Sequence, residues 1–176
     1  AANVNDPYAD IKQQSNKVCA SCMLSLREEI GAATKPFNTA VKMAIAGNVI
    51  DFGAYAANRV ERPAVVETIK SVLRQPLTSD TPEAMYNRIQ QADRILYIGD
   101  NAGECFFDRL LLECLPTRKL TYAVRGGPVL NDATIADARV AGIQEVCPVI
   151  DTGNRIPGVI PEQCSDAFRS HFENSD

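Results

Sequence analysis

Arg94-Ile-Leu-Tyr-Ile-Gly-Asp100-Asn-Ala-Gly-Glu104 decides the fold. Four apolar residues, Ile95 to Ile98, stand between an arginine and a glycine, the length and punctuation of a short buried strand. The polar turn that follows opens an amphipathic helix over 103–115, with Phe107, Leu110, Leu111, Cys114 and Leu115 on one side. Downstream the rhythm repeats. Residues 120–124 predict a strand, 133–141 a helix, 145–150 a strand and 161–172 a helix. Strand–helix alternation at this pitch predicts an α/β fold with a parallel, doubly wound sheet.

Upstream, the pattern is helical. Val18, Cys22, Leu26 and Ile30 predict a helix over 17–30, and 36–46 predicts a second one that Gly47 stops. A third is expected over 63–73, a linker over 75–83 and a fourth helix up to Gln91. The expected division is a helical N-terminal segment, 1–91, and an α/β metal-binding domain, 92–176. Three strands make a small parallel sheet, because such sheets need both faces covered. The chain also stops after a helix, where another strand would follow. The sheet is therefore expected to be incomplete, with a further segment or another chain completing it.

The 176 residues hold 18 Lys plus Arg against 22 Asp plus Glu, a net charge of −4, and 45% are apolar. That is globular composition, and the acidic balance argues against a general nucleic-acid partner. No apolar run reaches the roughly 18–20 residues of a membrane span, so no membrane partner is expected. Of six cysteines, Cys19 and Cys22 form the one C-x-x-C. It lies in a helical stretch, without the further ligands that zinc needs, and is taken as helix packing. Buried free thiols fit a cytoplasmic setting.

In open α/β sheets the ligand crevice lies at the carboxyl ends of the strands. Those ends are Gly99-Asp-Asn-Ala-Gly-Glu104, Arg125-Gly-Gly-Pro-Val-Leu-Asn-Asp132 and Asp151-Thr-Gly-Asn154. Asp100, Asn101 and Asp132 are hard oxygen donors suited to Mg²⁺ or Mn²⁺. Arg125 can fork onto phosphate oxygens, and Gly126 lets the main chain approach a ligand. Each residue also has a plain structural reading. Asp132 can cap a helix, Asp100-Asn101 can form a turn, and Arg125 can be a surface cation. Glu104 can favour a helix dipole, and Asn48 and Asp51 can cap a helix.

Gly47-Asn-Val-Ile-Asp51, Asp100-Asn-Ala-Gly-Glu104 followed by Phe107-Asp108, Arg125-Gly-Gly-Pro-Val-Leu-Asn-Asp-Ala-Thr134 and Asp151-Thr-Gly153 occur in that order. Together they closely resemble the damage-control phosphatase family, from about Asp6 to Phe168. The resemblance implies a helical part packed on a Rossmann-like α/β/α sandwich. It also implies a divalent metal cofactor (Mn²⁺, Mg²⁺, Ni²⁺ or Co²⁺) held by Asp100, Asn101 and Asp132. The implied partner is a small phosphorylated metabolite, damaged or surplus, such as a sugar phosphate. Arg125 falls where many members carry lysine. Asn48, Asp51 and Glu104 fall on motif positions near the family's site, and with Arg125 and Gly126 are expected on the substrate side. A Lys-Gly-rich substrate motif of the family has no match here, so the chain alone is expected to be inactive.

The expected reaction is hydrolysis of a phosphate monoester by a metal-activated water, or through an aspartyl-phosphate on Asp100. Two other classes stand beside it. One is a nucleotide- or adenosylmethionine-binding module of methyltransferase type, although G-x-G-x-x-G is absent. The other is a non-catalytic metal-binding assembly part.

Overall fold

Three short strands, β1 (Ile95–Ile98), β2 (Leu120–Val124) and β3 (Val149–Asp151), pair in parallel in the order β1-β2-β3. The computed structural model describes residues 6–50, 62–77 and 81–176. Ile95 pairs with Leu120, and Tyr122 with Val149, so the carboxyl ends of all three strands reach one edge. Successive side chains alternate between the faces. Tyr97, Leu120, Tyr122 and Val124 enter the main core, whereas Leu96, Ala123 and Ile150 enter a smaller cluster on the other side.

The main face is covered by α6 (Glu104–Leu112) and α7 (Ile135–Ala141), the two crossovers of the sheet. The opposite face is covered by α8 (Asp166–Glu173), whose Phe168 is fully buried against Ala123. Helices therefore lie on both faces, as a doubly wound sheet requires. Strand β3 begins later than the sequence pattern predicts. Pro148 has no N–H for the ladder, and its carbonyl still accepts from Tyr122 N at 2.9 Å.

Among the described residues, five α-helices precede the sheet: α1 (Ala9–Ala20), α2 (Met23–Ala32), α3 (Pro36–Val49), α4 (Arg62–Arg74) and α5 (Thr81–Gln91). The helix expected over 17–30 is two helices. The Ser21 hydroxyl donates to Val18 O at 2.6 Å and the chain turns at Cys22, so that Cys19, Cys22, Leu26 and Ile30 still meet one core. Among the described residues, no helix is long and apolar enough to cross a membrane.

Helix α3 corrects the expected stop at Gly47. It continues to Val49, and Gly47 is a buried point of close approach to α6. A Cβ there would lie 2.8 Å from Phe107 Cβ, Cγ and Cδ2. Ala40, Ala44 and Ala46 keep the rest of this helix small and buried. The close packing carries the end of α3, and with it Asn48, to the N-terminus of α6.

Two helical glycines should respond oppositely to alanine. Gly31 in α2 has nothing within 4 Å of an added Cβ, so Gly31→Ala should gain up to about 1 kcal/mol of helix propensity. At Gly47 the same gain meets overpacking of roughly 1–3 kcal/mol, and Gly47→Ala should be net destabilising. Urea unfolding of both variants checks the two signs.

Candidate functional site

The loop after β1 and the segment before α7 are zipped together by their backbones. Ala102 N donates to Asn131 O (3.0 Å) and Ala133 N to Asp100 O (2.7 Å), while Arg125 N donates to Ala133 O (3.0 Å). Residues 131–134 thus run as an extended strip between the ends of β1 and β2, and this strip sets Asp132 opposite Asn101.

Arg125 occupies the centre. Its Nε donates to Asp132 Oδ2 at 2.7 Å, its Nη2 to Asp100 Oδ1 at 3.0 Å and its Nη1 to Gly99 O at 3.3 Å. Arg125 is 3% exposed, so it is not a surface cation. Nor does Asp132 cap α7. Thr134 and Asp137 do so through a reciprocal capping box. Burial pushes the Asp132 carboxyl up, partly offset by the Arg125 charge, and the nearby Asp100 adds to the rise. Asp100 is the open member of the pair, with half its side chain exposed.

The Asn101 amide turns Nδ2 to Asp100 Oδ2 and Glu104 Oε2, both at 3.1 Å, and its Oδ1 accepts from Asn131 Nδ2 at 2.8 Å. Holding a cation through that oxygen requires the amide to turn over. Asn48 Nδ2 reaches Glu104 Oε2 at 3.2 Å. Glu104 is buried, and burial pushes its carboxyl up against the pull of these amides. Gly126 N donates to Asn154 O (2.9 Å) and to Thr152 Oγ1 (3.2 Å), which joins the loops after β2 and β3. Asp51 lies outside the described residues. Asp100, Asn101, Glu104, Asn48, Arg125 and Asp132 are therefore brought together.

The donor set suits a hard divalent cation. Two carboxylates already converge on one positive group, and the neighbouring donor is an amide oxygen. Among the described residues, no group of three or more His, Cys, Asp or Glu side chains is arranged to hold a metal. A cation here would rest on the aspartate pair, with Asn101 and water completing its shell. From α1, Lys12 closes the strip below. Its Nζ lies 2.8 Å from Asp6 Oδ2, 3.6 Å from Asp137 Oδ2 and 3.5 Å from Asp132 O.

Beneath the loop lies a group to which the sequence alone assigns no role. Asp108 of α6 is fully buried and accepts hydrogen bonds from Tyr97 and Tyr122, both at 2.6 Å. The two rings stack at 5.5 Å. The Tyr122 hydroxyl lies where a Cβ on Gly99 would stand, so Gly99 must be glycine for the chain to pass over it. Burial, and then the Glu104 charge, pushes Asp108 up to about 7. The available signal was spacing: Asp108 stands four residues after Glu104, on the same helix face.

The damage-control phosphatase ARMT1-like domain family matches this chain over residues 1–176. An uncharacterized protein of Methanocaldococcus jannaschii is 38% identical over 182 residues, covering 99% of this chain and 58% of its own length. A protein of Archaeoglobus fulgidus named as a damage-control phosphatase is 33% identical, covering 98% of this chain and 60% of its own length. Another of that name, from Pyrococcus horikoshii, is 32% identical, covering 98% of this chain and 58% of its own length. The crystal structure of a DUF89 family protein from P. horikoshii superposes with a TM-score of 0.81 at 31% identity, covering 97% of this chain and 59% of that one. The chain thus spans 58–60% of the length of the curated relatives it matches.

The buried Asp108 makes stability depend on pH. Its folded pKa of about 7 exceeds its ordinary 3.8, so the folded state holds the extra proton and stability falls as pH rises through that window. The groups acting on it are Tyr97 on β1, Tyr122 on β2, Glu104 and Cys105 on α6, and Asp100 in the loop after β1. Asp108→Asn keeps partners for both hydroxyls and removes the charge. The variant should gain on the wild type between pH 4 and 7, by up to about 4 kcal/mol. Urea midpoints across that range measure the gain.

Proposed function

This chain belongs to the damage-control phosphatase ARMT1-like family, and we propose that its protein is a divalent-metal-dependent phosphatase. The proposed substrates are phosphate monoesters of small damaged or surplus metabolites, sugar phosphates among them. The observation that carries the reading is the convergence of Asp100 and Asp132 on one cationic centre, with Asn101 beside them.

Asp100, Asn101 and Asp132 would hold the metal, with Mn²⁺, Mg²⁺, Ni²⁺ and Co²⁺ as the candidates. When bound, such an ion supplies charge compensation for the phosphoryl group and lowers the pKa of water. The chain's residues contribute position. Arg125 aims both carboxylates, which preorganises charge before substrate arrives. Glu104 holds Asn101 and Asn48 in place through the amide hydrogen bonds. Water is the proposed nucleophile, with direct attack by Asp100 as the alternative. Residues beyond this chain's share of the family length, or another chain, complete the substrate side in this reading. Six thiols, all unpaired, suit a reducing, cytoplasmic setting.

Measured on the protein together with the segment or chain that completes its substrate side, Asp100→Ala and Asp132→Ala should each lower Mn²⁺-dependent hydrolysis of p-nitrophenyl phosphate at least about 100-fold. Mn²⁺ titration should show the matching loss of binding. Full activity in Asp100→Ala sinks the assignment. Metal-independent binding of adenosylmethionine would favour the methyltransferase-like class instead, and weak or no metal binding would favour the assembly part.

A further inference from the structure

The three loops at the strand ends carry two cations, Arg125 and Arg155. Arg125 is held inside the protein, with three of its five N–H groups donating to Asp132, Gly99 and Asp100 and 3% of the residue exposed. Lys12 is buried between Asp6 and Asp137. Arg155 is exposed and pairs with no carboxylate among the described residues.

Its placement is defined by the glycines below it. The loop after β3 is pressed against Gly126, where an added Cβ would lie 2.6 Å from Asn154 N. The stem of Arg155 then crosses Gly127, and a Cβ there would stand 2.9 Å from its Cδ and 3.0 Å from its Cγ. Gly127 is thus the floor on which the Arg155 side chain lies, two residues beyond Arg125. Leu130, on the same rim, is 50% exposed and has φ of 47°. It is the one non-glycine residue with positive φ among the described residues. Such strain gathers at ligand sites.

We propose that Arg155 is the substrate-facing cation of this site and forks onto the non-bridging oxygens of the phosphoryl group, while Arg125 stays behind as an internal strut. This inference rests on the phosphatase reading. A phosphate monoester brings nearly two negative charges, and Arg155 brings a positive charge, paired with no carboxylate among the described residues, to the rim of the site.

The test uses purified Mn²⁺-loaded protein with orthophosphate as the probe in calorimetry, and p-nitrophenyl phosphate in kinetics. Arg155→Gln should weaken orthophosphate binding about tenfold or more and raise KM by a similar factor. The Mn²⁺ affinity and the unfolding midpoint should not change. Arg155→Lys should recover part of the loss. Orthophosphate affinity in Arg155→Gln within about twofold of the wild type overturns the proposal, whether or not the wild type hydrolyses esters. A wild type that binds orthophosphate through Arg155 and hydrolyses nothing supports this inference and removes the phosphatase reading alone.

Discussion

One buried guanidinium organises this molecule's working edge. Arg125 draws the Asp100 and Asp132 carboxylates and the Gly99 carbonyl onto a single plane of N–H donors. Without a cation between them, two carboxylates this close would repel, and Asp132 is largely removed from water. The planar fork meets that cost by offering each acceptor its own hydrogen bond, which a lysine's point charge does less well. The backbone makes the same join a second time, through the bonds that zip 100–102 to 131–133. Charge pairing and strand-like pairing therefore enforce one geometry.

The helical layer exists, at the site, to deliver parts to that geometry. Helix α3 comes close to α6 because Gly47 leaves room for Phe107, and its last turn then brings Asn48 to Glu104. Helix α1 sends Lys12 and Asn16 to Asp137, whose carboxylate also closes the capping box of α7. The start of α7 is thereby held from two sides just after Asp132. The main core runs continuously from Cys19 through Met43 and Phe107 to Tyr122. Movements of the helices would therefore be felt at the loops.

Much of this was legible because periodicity and punctuation are local. The bounds of β2 and the strand–helix order follow from apolar runs between glycines, prolines and charges, and the strand-end rule points to the three loops. What escaped reading depends on contacts distant in sequence. Gly47 looks like a helix stop until Phe107, sixty residues away, is seen against it. Asp132 looks like a cap because Thr134, two residues on, is an equally good one, and only the pull of Arg125 decides between them. Tyr97 and Tyr122 look apolar because strand patterns count them so. Their hydroxyls matter because Asp108 comes up from α6 to meet both.

The site is consequently rigid below and open above. Its floor is over-determined: Tyr122 under Gly99, Arg125 between the aspartates, Glu104 under Asn101 and the capping box under Asp132 each fix a backbone or side-chain position. In the proposed phosphatase, preorganisation of this kind would serve a loose phosphoryl transition state, which needs charge in the right place more than it needs covalent help. The rim has different chemistry. Gly127 is covered by the Arg155 side chain, and Leu130 and Arg155 face solvent. A substitution in the floor disturbs several fixed partners at once, whereas one on the rim changes what is admitted. In the proposed phosphatase, selection among phosphorylated molecules would therefore act on the rim while the geometry proposed to hold the metal stays constant below.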